Sequence, residues 1–192
     1  MFINSEVRSD LSWFSAIIPS AIGIYFVDTG DWEDSTADMV FWTDASLNGA
    51  LSFVFAGNGF YYSIARPASG PVVEILFLEL TAILSALHHA VSLESPPQKV
   101  LLWSDSLDAV EMLNSLRAKE SHHNAVLLAI ASVILRSGID LRARHIPGKK
   151  NIRADMLSRL LLDDFSAQFP SYRVHRFEPP RELLPARWAK TF

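Results

Sequence analysis

Four carboxylates in this chain stand where a packed core would call for apolar residues. Asp44 follows Val40-Phe41 within the segment WTDAS at 42–46, and Glu79 is the one charged residue between Ile75 and His88. Asp105 comes directly after the run KVLLWS at 99–104, and Asp155 lies in the last helical candidate. Burying an unpaired carboxylate costs several kcal/mol, so such groups are paired, hydrogen-bonded or bound to a metal. Acids at the ends of neighbouring strands converge at the carboxyl edge of an α/β sheet, where such sheets place ligands. Gathered there they repel one another, and they stay ionised only if a cation joins them. Hard oxygen ligands point to Mg²⁺, with Mn²⁺ as a substitute. Two such ions roughly 3.5–4 Å apart are what in-line displacement at a phosphodiester uses. The substrate of such a site is a nucleic-acid backbone. Arg142, Arg144, Lys149, Lys150 and Arg153 lie between Leu141 and Arg153 with no acid among them, which reads either as an anion-binding edge in keeping with that substrate or as a solvated loop.

The elements that position these acids are legible in outline. Met39–Asp44, Gly49–Ala56 and Phe60–Ala65 read as strands, the last two separated by GNG at 57–59, residues that allow a tight reversal. Val72–Leu93 reads as a buried helix between Pro71 and Pro96-Pro97. Lys99–Ser104 reads as a strand, Leu107–Leu116 and Asn124–Arg136 as helices, Gly138 as a left-handed cap, Ile139–His145 as a last strand and Asn151–Leu161 as a last helix. The expected fold is α/β: a five-stranded mixed sheet, three antiparallel strands first and parallel strands after, flanked by helices. Residues 1–38 form an N-terminal arm, 39–161 the catalytic domain and 162–192 a proline-rich tail.

The pieces TDAS at 43–46 with Gly49, LEL at 78–80 with Ala82, SDS at 104–106 and HIPGKKNIRADMLSR at 145–159 resemble the ribonuclease H domain of retroelement reverse transcriptases. The likeness is to elements with long terminal repeats or a tyrosine recombinase. Residues 8–25 look like the connection segment that precedes that domain. The resemblance implies a ribonuclease H-like fold and endonucleolytic hydrolysis of the RNA strand of RNA/DNA hybrids during reverse transcription. It implies two metal ions, with Asp44 bridging both, Asp155 beside it on the water-activating side, and Glu79 and Asp105 on the leaving-group side. In the family Glu79 lies close to a ribose 2′-hydroxyl, the group that tells RNA from DNA. His145 corresponds to a mobile histidine that assists proton transfer or product departure. Ser46, Asn48, Ser106, Lys149, Lys150 and Asn151 would contact the nucleic acid, and a polymerase domain in the same polyprotein would hold the duplex. Ser106 stands where the family often has Asn.

Other classes are constrained by composition. Of 192 residues none is cysteine, which removes disulfides, thiolate nucleophiles and cysteine-ligated zinc. Met1–Asp10 is polar and mixed in charge, unlike a signal peptide, and the greasy run 75–91 carries Glu79 and His88-His89, unlike a membrane span. Intracellular residence, cytoplasmic or nuclear, is expected. A three-prime exonuclease of the same superfamily is disfavoured because Ala45-Ser46 follows the first acid, where that class has a glutamate two residues on. A non-catalytic scaffold descended from such an enzyme is the alternative of a different class. Adjacent helical residues point about 100° apart, so neither His88-His89 nor His122-His123 chelates one ion easily, and both pairs read as ordinary surface or packing residues.

Overall fold

The computed structural model describes residues 4–21, 32–63 and 74–180. Part of the connection-like segment, the acidic stretch up to 31, the start of the long helix at Val72 and the tail beyond 180 lie outside the described residues.

After helix α1 (Ser5–Ile17) the sheet begins with β1 (Met39–Ala45), β2 (Ala50–Phe55) and β3 (Asn58–Ser63). Then follow α2 (Ile75–Val91), β4 (Lys99–Ser104), α3 (Leu107–Ser115), α4 (Ser121–Ser137), β5 (Asp140–His145), α5 (Ile152–Ser158), α6 (Leu162–Gln168) and β6 (Arg173–Arg176). The strands lie in the order β5-β4-β1-β2-β3-β6. β1, β2 and β3 form an antiparallel meander, while β4 runs parallel to β1 and β5 parallel to β4. This is the α/β mixed sheet expected, antiparallel first and parallel after, flanked by helices. Among the described residues no helix is long and apolar enough to cross a membrane.

The expectation of five strands is corrected to six among the described residues. β6 comes from the segment read as an extended tail, and it pairs in parallel with β3, Gly59 opposite Val174 and Phe60 opposite His175. Its sequence RVHR carries no apolar alternation because it is an edge strand whose side chains are largely exposed. The reversal between β2 and β3 also falls one step earlier than GNG: Ala56 and Gly57 both have positive φ (43° and 76°), the two central residues of a tight hairpin turn. Gly59 serves a different end within β3, since a Cβ there would stand 2.7 Å from Leu157 Cδ1 of α5.

Both faces of the sheet are covered. Phe41, Ala45, Leu51, Phe53 and Phe55 join Leu78, Ala82, Ile83 and Ala86 of α2 in one cluster, which continues into α3 and α4. Val54 packs against Ala154, Leu157 and Phe165 of α5 and α6 on the other side, with Trp42 and Tyr61 at its margin. Because β2 is sandwiched, all six of its residues are buried. α2 is buried nearly all round, and its Thr81 and Ser85 hydroxyls are satisfied by the carbonyls four residues back.

Candidate active site

β1, β4 and β5 run parallel, so their carboxyl ends lie side by side: Thr43 is opposite Ser104, and Ser104 opposite His145. That register sets Asp44, Asp105 and His145 along one edge of the sheet. Glu79 reaches the same edge from the early part of α2. One ligand oxygen each from Asp44, Glu79 and Asp105 falls within 4.8 Å of the other two. Asp44 and Glu79 are buried, each at 5% exposure, and Asp105 is half-buried.

Three oxygens this close repel one another, and the surroundings only partly compensate. Glu79 Oε1 accepts the Ala45 N–H at 3.2 Å, whereas its Oε2 is buried with no hydrogen-bond partner. Among the described residues no lysine or arginine is paired with Asp44, Glu79 or Asp105. Burial pushes the Asp44 carboxyl up to about 7, with the charges of Asp105 and Asp155 adding to the rise and a hydrogen bond from Ser158 opposing it. Burial likewise raises Glu79 well above the usual carboxylate range, helped by Asp44 and Asp105. An orphaned buried oxygen and three converging carboxylates with no paired side-chain cation fit a divalent metal with hard oxygen ligands.

Asp155 enters from the other face of the sheet. By the alternation of a strand Asp44 lies on the Trp42 side of β1, the side that α5 covers. α5 is fastened there by Ser52 of β2, whose hydroxyl donates to the Ala154 carbonyl at 2.8 Å. Asp155 is close enough to act on Asp44 electrostatically but stands outside the three-oxygen cluster, and its Oδ1 accepts from Arg159 Nε at 2.6 Å. The structure therefore brings three of the expected acids into ligand range and sets the fourth beside them.

The remaining expected residues separate by environment. His145 is exposed at the end of β5, and Lys149 and Lys150 are exposed in the turn Gly148–Lys150. Ser106 caps α3, its hydroxyl accepting the Ala109 N–H at 3.3 Å. Ser46 is half-buried and Asn48 exposed in the β1–β2 turn. Asn151 differs from expectation. Only 1% exposed, it donates through Nδ2 to the Thr43 carbonyl at 2.9 Å and lies 3.5 Å from Asp105 Oδ1. Its amide therefore ties the start of α5 to the acid pocket and turns no face to a phosphate. Gly148 allows the same closeness, because a Cβ at that position would sit 3.0 Å from Asp105 Oδ2.

The basic edge is also smaller than the charge pattern implied. Arg142 stacks 4.2 Å over Trp32, Arg144 pairs with Asp34 at 3.5 Å, and Arg153 lies over Phe169 and Tyr172 at 5.5 and 5.3 Å. These three are engaged by the protein's own side chains, although Arg144 stays exposed, which leaves Lys149 and Lys150 as the exposed cations of that stretch outside such contacts.

Sequence reasoning missed Ser158. Its hydroxyl donates to Asp44 Oδ2 and lies 2.9 Å from the Asp155 carbonyl, linking the first and last acids. The signal available was slight: a serine three residues after an acid on a short helix, one turn away and on the same face. Because this bond stabilises ionised Asp44, Ser158→Ala is expected to raise the pH at which Mg²⁺ binding reaches half its plateau. A hydrogen bond to a charged group is worth about 1.5–3 kcal/mol, and a pH unit about 1.4 kcal/mol. Calorimetric titration between pH 5.5 and 8.5 should therefore show a shift of about one unit or more, and an unmoved midpoint would remove Ser158 from the site.

No protein-family model matches the chain, and no curated protein matches it. Among solved structures it is similar to RNase H1 from the halophilic archaeon Halobacterium salinarum, at 20% identity and a TM-score of 0.48, over 66% of this chain and 98% of that one. LC11-RNase H1 in complex with RNA/DNA hybrid is similar at 21% identity and a TM-score of 0.48, over 62% of this chain and 92% of that one. The protease-reverse transcriptase of prototype foamy virus is similar at 19% identity and a TM-score of 0.43, over 76% of this chain and 22% of that one.

Proposed function

We propose that this protein hydrolyses the RNA strand of RNA/DNA hybrids as the ribonuclease H unit of a retroelement reverse transcriptase. The observation that carries the reading is the convergence of Asp44, Glu79 and Asp105 within 4.8 Å at the carboxyl edge of the sheet, with an orphaned buried oxygen on Glu79 and, among the described residues, no lysine or arginine in an ion pair with the three. Beside it stand the motifs of 43–46, 104–106 and 145–159.

Asp44, Glu79, Asp105 and Asp155 are the residues that would hold two Mg²⁺ ions, or Mn²⁺ in their place. When bound, such ions supply the acidity that makes water a nucleophile at neutral pH and the positive charge that steadies a departing oxygen. The protein's own contribution is positional. Ser158 donates to Asp44 and favours its ionised form, Asn151 reaches Asp105 with its amide, Gly148 leaves room for that carboxylate, and Glu79 is set against the Ala45 N–H. Glu79 would also meet the ribose 2′-hydroxyl, which selects the RNA strand. Lys149 and Lys150, with Ser46, Asn48 and Ser106, would take the phosphates of the hybrid. Exposed His145 would pass a proton or ease product departure, and the products would carry 3′-hydroxyl and 5′-phosphate ends. Residues 39–161 are the proposed catalytic unit, 1–38 an arm toward the polymerase domain of the same polyprotein, and 162–192 a C-terminal extension.

The test is cleavage of an end-labelled RNA/DNA hybrid by the purified chain in Mg²⁺ and in Mn²⁺, beside the matching DNA duplex. Cutting of the RNA strand alone, dependent on the cation, is the expected result. Hybrid bound tightly but left intact in both metals, also when the polymerase domain is supplied, would replace this reading with the scaffold.

A further inference from the structure

Away from the carboxylate pocket, the starts of two helices bring a second set of ligand side chains together. Glu74 is the residue before α2, and His122 and His123 lie in the first turn of α4. Glu74 Oε2 is 3.4 Å from His123 Nε2 and 3.8 Å from His122 Nε2, and one ligand atom from each of the three lies within 4.8 Å of the others. Neighbouring helical side chains leave the axis about 100° apart, yet the two imidazoles turn toward each other until their ring centroids are 4.1 Å apart. No pattern in the sequence marked the third member, which lies 48 residues earlier than His122.

His123 is 4% exposed, and its Nε2 is buried without a hydrogen-bond partner although it faces the Glu74 carboxylate. At 3.4 Å that approach is too long for an ordinary N–H···O bond, which spans about 2.7–3.2 Å. It is the spacing of two ligands sharing one ion: bonds of about 2.0–2.2 Å in a tetrahedron set their ends roughly 3.3–3.5 Å apart. His122 needs only a small rotation to join, and its side chain, 47% exposed, is free to make it, as is that of Glu74 at 57%. Those exposures also leave an entry path and an open side for water. The positive end of α4 counts against a cation there, at roughly half a charge. Glu74 opposes it with a full negative charge, and Glu120, just before α4, stands close enough to His123 to add a second.

We propose that Glu74, His122 and His123 form a binding site for a borderline divalent cation of the zinc class, which ties the start of α2 to the start of α4. Two imidazoles and one carboxylate favour such an ion over Mg²⁺, which prefers oxygen alone. The site shares no ligand with the acids and does not depend on the function proposed above.

The experiment uses the untagged full chain carrying Asp44→Asn and Asp105→Asn, so that the carboxylate pocket no longer competes for the ion. Co²⁺ titration should give one equivalent with the visible absorption of a tetrahedral centre, displaced by Zn²⁺. Adding His122→Ala or Glu74→Gln, both at exposed positions and checked for folding by circular dichroism, should weaken Zn²⁺ binding at least tenfold. Absence of Co²⁺ binding in the parent chain, or Zn²⁺ affinity in the variants equal to the parent's, would overturn the proposal.

Discussion

Replacing Asp44 by asparagine is expected to make the metal-free protein more stable while removing its activity. The Asp44 carboxyl is raised from 3.8 to about 7, chiefly by burial. A raised folded-state value means that the folded chain holds this proton more tightly than the unfolded chain. The contribution to stability is therefore fully present below about pH 4 and is lost as pH rises toward 7 and beyond. At about 1.4 kcal/mol per unit the loss is on the order of 4 kcal/mol at pH 8. The substituted amide carries no charge and escapes it. Thermal melts in EDTA should thus show wild type and variant together near pH 4 and the variant well above wild type at pH 8. With Mg²⁺ the order should narrow or reverse, because an ion bound as proposed would add stability to wild type alone. Hybrid cleavage by the variant should fall on the order of 10³-fold, since polarisation by the lost ion is worth several kcal/mol and each 1.4 kcal/mol is about tenfold. A variant that melts below wild type at pH 8 in EDTA, or that cleaves normally, would contradict the placement of Asp44.

Gly49→Ala should be as damaging at a residue that carries no chemistry. Its backbone φ is ordinary, so no left-handed strain is at issue. A Cβ there would stand 2.0 Å from the Ser158 carbonyl oxygen and 3.3 Å from Ser46 Cβ. The neighbour is backbone, and the end of α5 would have to retreat. Overpacking of this kind costs about 1–3 kcal/mol and sometimes more, or about 2–4 °C of melting temperature per kcal/mol for a chain of this size. Retreat of α5 would also carry Ser158 away from Asp44 and shift Asp155, so activity should fall further than stability. A drop of about 2–12 °C with strongly reduced cleavage is expected; full activity at a lowered melting temperature would show that the site tolerates movement of α5.

Much of this architecture was legible because its elements announce themselves. KVLLWS marks β4 to the residue, and Gly138 ends α4 in the left-handed conformation expected of it, at φ 73°. α4 begins at Ser121, three residues before the expected Asn124, because SHH reads as polar although His123 is buried. β6 was hidden for the opposite reason: an edge strand borrows its stability from backbone pairing with β3, which leaves no pattern in side chains. Within the site the acids stood out as charges in apolar company, whereas Ser158 did not and Asn151 was expected to face the nucleic acid. A hydroxyl or an amide belongs equally well on a surface, and only the fold shows that these two are turned inward.

The pairing of β3 with β6 also bears on how the molecule is made. Asn58 meets Arg173, a residue 115 positions further along the chain, so β3 leaves the ribosome long before its neighbour exists. Until then the outer edge of the meander is bare, and Phe60 waits for His175 and Phe53 for Phe177 to pack against them. During that interval an open row of amides and carbonyls is free to pair with another nascent chain. Among the described residues the last strand to be synthesised is thus the one that covers β3 and ends the exposure of that hydrophobic part of the sheet.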